Sequence, residues 1–442
     1  MESPTFACAR HGGFTGSLRH RCPLCPTTGP QRLLRCAGCR AFRYCSREHQ
    51  VAHRPRHKSA CIKIKNARAK LAREDDLVRN ATPDFMTPAN AFETEAGLFW
   101  GLLNTRDYMR ARYALVRQLT GLGTLDGVRE ALEHLLDMLR LCRSDNMGLR
   151  SIVPAVMLRL DHDQECYDFM KWWATCDPDG RYNWGDMTLP YLDISGADVL
   201  EDPGFFLRKY PDLNHLVALL LLNLKLLIDV RNLKVTRKVL AERRLPFELR
   251  DQIEQDVVRS PLSAELWKGT PGSIMRTEIK LLNHIRQLGA AIAEASHNFM
   301  FHLFAPDEAL SDKPESYSHG SWEEMALAIQ NSYAAWWETE GVLDLLTDAR
   351  ACAARDSERE LEERMEDEKF RQGRTLTELQ ADVSVNRIWG YLDYAVENAS
   401  YLGPWANRPS ERHTMENQEA WARAEAEDKE FEDLFESGFE SD

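Results

Sequence analysis

Apolar residues recur at three- and four-residue intervals through most of the chain, the spacing that lines one face of an α-helix, and no segment is rich in strand patterning. Between about Glu93 and Trp173 the pattern falls into blocks such as TRDYMRARYALVRQL, LDGVREALEHLLDMLRLC and DQECYDFMKWW, separated by short turns, which predicts a stack of antiparallel helix pairs. Helical patterning resumes in 206–243, 246–259, 273–304 and 321–346, with Pro246, Pro261, Pro271, Pro306 and Pro314 marking starts and stops. Residues 62–78 (IKIKNARAKLAREDDLV) suit an exposed helix, and 353–370 (AARDSERELEERMEDEKF) a solvated one. Residues 177–205 lack sustained period and are rich in Gly, Pro and Asp, which predicts a long insertion. The fold class that follows is mostly α.

The segmentation reads as a flexible lead over 1–20, a Cys/His-rich unit over 21–62, and a helix and linker over 63–92 with Pro83, Pro88 and Asn90 at the boundary. An α-helical domain over 93–405 and an acidic tail over 406–442 follow. The block DNMGLRSIVPAVMLRLDHDQECYDFMKWW resembles the tetratricopeptide-like helical repeat, so 105–176 is expected to have repeat-like character. Pro154 must kink or start its helix, and no second clean copy recurs at about 34 residues. The Trp172/Trp173 and Trp336/Trp337 pairs lie in strongly periodic helices, where indoles fill cores more often than ligand cages.

The run Leu216–Val230 (LVALLLLNLKLLIDV) is the most apolar segment, but Asn223, Lys225 and Asp229 interrupt it and it is shorter than the ~20 apolar residues of a membrane span. A buried core helix is expected, and no membrane association. No charged-then-apolar signal opens the chain; the arginines before residue 22 faintly resemble a mitochondrial presequence, but Pro4 and the Gly12-Gly13 pair break any amphipathic pattern. An intracellular protein of the nucleus or cytoplasm is expected.

Charge and cysteines are distributed unevenly. The formal net charge is −13, yet residues 1–70 carry 15 Lys and Arg against Glu2 and Glu48, a local +13 that leaves −26 for the rest. Such a basic head seeks an anionic partner or an internal contact with the acidic body. Residues 411–442 hold 12 acidic and 3 basic side chains and should be largely disordered. Within them, 425–442 interleave Phe431, Leu434, Phe435 and Phe439 with acids, a composition suited to docking on a basic, apolar-floored surface such as the head.

Seven of eleven cysteines lie in the first 61 residues, which in a chain without a secretory signal points to metal rather than disulfides. Cys22/Cys25 and Cys36/Cys39 form two CxxC turns; Cys45/His49 and His57/Cys61 are pairs four apart, which project from one face of a helix. Eight such ligands suffice for two tetrahedral zinc sites. The order knuckle, knuckle, helical pair, helical pair fits an interleaved arrangement, with Cys22, Cys25, Cys45 and His49 on one ion and Cys36, Cys39, His57 and Cys61 on the other. His53 could replace His57, although only His57 pairs with Cys61 at i, i+4. Cys8, His11 and His20 lack a fourth ligand for a third site.

The successive segments CPLC, CAGC, YCSREHQ and HKSAC resemble the MYND zinc finger in order and spacing over residues 22–61. The resemblance implies a small, loop-rich, cross-braced module with two zinc ions, supports the interleaved pairing, and implies binding of short, often proline-containing peptides. His49 stands where the family more often has a cysteine; Gln50 matches a groove residue, but Arg54 replaces a tryptophan that packs on the peptide. RING and PHD modules have different loop lengths. MYND modules also occur in split SET methyltransferases, but His297-Asn298 reverses the Asn-His cofactor motif. No GxxxxGK[ST], GxSxG or HExxH motif is present. The expected function is a non-enzymatic zinc-binding adaptor for protein partners. The alternative is a transcription-linked nucleic-acid binder using Arg10, Arg19, Arg21, Arg32, Arg35, Arg40, Arg43, Arg47, Arg54, Arg56, Lys58, Lys63 and Lys65, although no base-reading helix accompanies them.

Overall fold

The N-terminal unit is built on a hairpin and a helical corner. In the computed structural model, which describes residues 18–29, 33–83, 88–241, 245–379 and 388, strands β1 (Leu34–Arg35) and β2 (Arg43–Tyr44) pair antiparallel with Leu34 opposite Tyr44. The hairpin turn places Arg40 in the left-handed region, φ 59°. Helix α1 (Arg47–Ala52) starts where the Ser46 hydroxyl accepts from the His49 amide at 3.3 Å, the N-cap bond expected of serine. One residue later α2 (Arg54–Arg79) begins with Pro55 in its first turn, where proline's missing N–H removes no helical bond. The segment read as a separate helix from residue 62 is therefore the continuation of the rod that bears His57 and Cys61. Its buried stripe, His57, Cys61, Ile64 and Val78, follows the helical period.

Among the described residues the body's regular elements are all helices. A short α3 (Ala91–Thr94) leads into α4 (Arg106–Thr120) and α5 (Leu125–Leu141), which pack on each other, and α2 lies along α4. Helix α6 (Val153–Arg159) starts at Pro154 instead of kinking there, and α7 (Asp163–Thr175) follows a tight turn in which Asp161 adopts φ 59°. Residues 177–205 contain only a single 3₁₀ turn, at Pro203–Phe205, but they are tied down. The Asp168 carboxylate accepts from the amides of Gly196 (2.8 Å) and Ala197 (2.9 Å), Arg143 donates to the carbonyl of Leu189 (2.7 Å), and Trp172 donates to Asp193 (3.0 Å).

At the centre lies α8 (Leu213–Ala241), packed by α6, by α10 (Pro271–Ala295) and by α13 (Trp322–Glu338). It is long and apolar enough to cross a membrane, but 94% of its apolar window is buried inside the protein. Its interrupting polar residues are all buried and held. Asn223 donates to the Leu219 carbonyl, Lys225 donates to Asp161 (2.6 Å) and Asp163 (2.8 Å), and Asp229 accepts from the amides of Arg259 and Ser260. Buried charges persist only when paired in this way.

Several expected helices are shorter than their patterns. Residues 206–212 precede α8 as irregular chain, and 246–259 contributes α9 (Phe247–Asp256). The pattern 273–304 divides at 296–298 into α10 and α11 (Phe299–Phe304), followed by α12 (Asp307–Ser311). The pattern 321–346 breaks because Gly341 takes φ 83°, which ends α13 and opens α14 (Val342–Arg364), and α15 (Glu368–Arg371) follows. Trp336 and Trp337 fill the core, at 0% and 4% exposure. The acidic tail and the first 17 residues, with Cys8 and His11, lie outside the described residues.

Candidate metal centre

Each of the eight cysteines and histidines sits on an element that sets its direction. The loop before β1 carries Cys22 and Cys25. The hairpin turn carries Cys36 and Cys39, closed by the Cys36 amide donating to the Phe42 carbonyl (2.8 Å) and the Arg40 amide donating to the Cys36 carbonyl (2.9 Å). Cys45 and His49 flank the start of α1, and the first two turns of α2 present His57 and Cys61 on its buried face.

The residues gather as two groups, Cys22, Cys25, Cys45 and His49, and Cys36, Cys39, His57 and Cys61, with the ligand atoms of each group within 4.8 Å of one another. In the first, Cys45 Sγ lies 3.1 Å from His49 Nδ1, 3.5 Å from Cys25 Sγ and 3.7 Å from Cys22 Sγ, and His49 Nδ1 is 3.5 Å from Cys22 Sγ. In the second, His57 Nε2 lies 3.3 Å from Cys36 Sγ and 3.5 Å from Cys39 Sγ, and Cys36 Sγ is 3.9 Å from Cys61 Sγ. A zinc tetrahedron with bonds of about 2.3 Å to sulfur and about 2.0 Å to nitrogen has edges of about 3.8 Å and about 3.5 Å. The donor set and the spacing both fit zinc, one ion per group. The two groups use opposite ring nitrogens, Nδ1 of His49 and Nε2 of His57.

Residues 22–61 match the family model of the MYND finger. This segment is a MYND finger. No curated protein and no solved structure matches the chain.

The finger's surroundings explain which histidine is the ligand. His53 is buried beside the second group, but its Nδ1 pairs with the Tyr44 hydroxyl at 3.0 Å and its ring stacks on His57 at 5.8 Å. Phe42 meets the His57 ring edge-on at 4.7 Å. His53 therefore holds its neighbour in place. Burial pushes the Cys39 thiol up to about 12 and, with Arg54 nearby, the His57 imidazole down to about 4. The pocket by itself keeps His57 neutral and ready to coordinate, whereas Cys39 gives up its proton only to a cation such as zinc.

Two residues of this site are not among the eight predicted ligands. Gly38 lies inside the second knuckle, and a Cβ there would meet Cys61 Sγ at 2.8 Å. Gly38→Ala is expected to weaken the second ion selectively, so that chelator titration followed by a colorimetric zinc indicator releases one equivalent early and the other at the wild-type concentration. The glycine of CAGC was visible in the sequence, but its need arises only from the thiolate packed against it.

Asp126, on the first turn of α5, is the second. It accepts from Arg35 (2.6 Å) and from Arg43 (2.5 and 3.0 Å), and His20 lies 3.6 Å away. Although burial opposes it, the Arg43 guanidinium, with Arg35 and His20, holds the Asp126 carboxyl below its usual range. Arg68 on α2 adds a bond to Glu130 at 2.6 Å. The finger is thus clamped to the helical body. Asp126→Ala is expected to lower unfolding free energy by about 2 kcal/mol, discounted from a fully buried pair because Arg35 is half exposed. Urea denaturation would measure the loss, with zinc content unchanged at two.

Proposed function

We propose that the chain is a zinc-stabilised adaptor that holds protein partners and has no catalytic role. The observation that carries this reading is the MYND finger with two complete four-ligand groups, fixed to a helical body by α2 and by Asp126. Two ions brace a surface that has too small an apolar core to hold itself, and a rigid mount gives that surface a defined direction relative to the body. Binding short segments of other proteins is the family's usual use of this module.

The proline-peptide preference of the family is not carried over. Gln50 is engaged by Arg47 (2.6 Å to its Oε1), and Arg54 puts an exposed cation where the family packs an aromatic ring. The reading of partners is therefore an acid-bearing peptide class. The same exposed cations favour a second reading, nucleic-acid binding, which would depend steeply on salt. Placement in the nucleus or cytoplasm belongs to the proposal, resting on thiol ligands that need a reducing compartment.

An array of immobilised acidic and proline-containing peptides, probed with the zinc-loaded full chain and with its Cys36→Ser variant, tests the reading. Peptide binding that is lost with the variant supports it. Binding of single- or double-stranded oligonucleotides with a steep salt slope, and of no peptide, would overturn it in favour of the alternative.

A further inference from the structure

From His49 to Arg73 the chain has eight Lys and Arg and no acid. The structure divides them. The buried stripe of α2 faces the finger and α4, and Arg68 at its edge is paired with Glu130. About a third of the way round the helix Arg54, Lys58, Ile62, Lys65, Ala69 and Arg73 are all exposed, and their intervals of four, four, three, four and four place them in one stripe about 28 Å long at ~1.5 Å per residue. Arg73 is paired with Glu74, but among the described residues no ion pair engages Arg54, Lys58 or Lys65. Ile62, at 45% exposure, is an apolar foothold in the middle of these cations. Such a ridge repels itself, and Coulomb energy favours an anionic cover.

The chain carries a segment of matching chemistry. Residues 425–442 have nine acids and one lysine, and Phe431, Leu434, Phe435 and Phe439 fall at intervals of three, one and four, which would align on one face of a helix bordered by Glu430 and Glu432. The 42 residues between Ile388, buried in the body, and Phe431 could span up to roughly 140 Å extended. A folded unit of this size is only roughly 50 Å across, so α2 is within reach. Tethering makes docking intramolecular, with an effective concentration below the millimolar order of short linkers, which gives the segment an advantage over a dilute free partner of similar composition.

We propose that the outward ridge of α2, Arg54, Lys58, Ile62 and Lys65, is a docking surface for an acidic segment with interleaved aromatics, and that its resident occupant is residues 425–442 of this chain. Lys58 and Lys65 pair with carboxylates on either side of Ile62, which receives Phe435. A phosphate backbone would use the same cations but gains nothing from Ile62. This arrangement goes beyond the adaptor reading, because it assigns a surface outside the zinc knuckles and an occupant from the same chain, with which an outside acidic partner competes.

The test uses the zinc-loaded full chain, the same chain ending at Ala424, and a fluorescein-labelled peptide of residues 425–442, read by anisotropy. At 50 mM salt the peptide should bind the truncated chain, and bind the full chain at least tenfold more weakly because its own tail competes. Lys58→Glu/Lys65→Glu in the truncated chain should weaken binding by about 30-fold while elemental analysis still finds two zinc ions. Phe435→Ala in the peptide should weaken it several-fold, and 0.5 M salt at least tenfold. The salt and Phe435 results do not depend on how the charge-reversed finger folds. Absence of peptide binding to the truncated chain, equal binding to truncated and full chains, or equal binding to the charge-reversed variant would overturn the proposal. So would an RNA 20-mer that binds the ridge with the same affinity whether or not the tail is present.

Discussion

Stripping zinc from this protein is expected to release two ions per chain and to unfold residues 22–61 while the helical body keeps its structure. Without ions the finger's buried side chains are chiefly its own ligands with Leu33, Ala41, Phe42 and Tyr44, a core too small to offset the conformational entropy of 40 residues. Structural zinc contributes about 10–16 kcal/mol in small fingers. The body instead buries most of α8, continuously from His215 to Val230, together with its neighbours in one apolar cluster. The tryptophans separate the two events, because all eleven lie at or beyond Trp100 and none is in the finger. A chelator should therefore cause zinc release and an amide-exchange burst in 22–61 with tryptophan emission unchanged. Cys36→Ser should lose one ion, and Cys8→Ser none. Elemental analysis giving one ion or none for the wild type, or equal loss from both variants, would refute the ligand set.

The second large effect lies in the body. Arg159 at the end of α6 donates to both oxygens of Glu338 on α13, at 2.7 and 2.8 Å, and also to the Thr120 carbonyl at 3.1 Å, with both side chains almost completely buried. Burial pushes the Glu338 carboxyl above its usual range even beside Arg159. Desolvation therefore absorbs most of what the ion pair contributes, as is common for buried pairs. Removing one member is another matter, because it strands a buried charge. Glu338→Ala is expected to destabilise by about 3–5 kcal/mol in urea denaturation, whereas Arg159→Met/Glu338→Leu together should come within about 1 kcal/mol of the wild type. A double variant as unstable as the single one would show that the pair itself, rather than the stranded charge, carries the energy.

The ligand set was legible because metal chemistry is local in sequence: a CxxC turn and a pair four apart constrain side chains before any tertiary contact exists. The choice of His57 over His53 needed both that spacing and the structure, which occupies His53 with Tyr44. Helical character was legible for the same local reason, since a 3.6-residue period survives whatever the helix packs against. Helix ends were legible only where a proline marks them, as at Pro246, Pro271 and Pro306. The breaks at 296–298 and at Gly341 depend on backbone angles that the apolar pattern continues straight through.

What the sequence determined by itself is a two-zinc MYND finger followed by a mostly α chain, because ligand spacing and apolar period act over a few residues. How charge is used across long separations is settled by packing. The sequence counted a basic head against an acidic body without saying which cations meet which acids. Folding sends Arg35 and Arg43 across 91 and 83 residues to Asp126, and Arg159 across 179 to Glu338, and leaves Arg54, Lys58 and Lys65 facing outward. Coulomb attraction carries no record of sequence distance. It acts between the groups that helix packing brings within a few ångströms, so the partition between spent and available charge exists only in the folded chain.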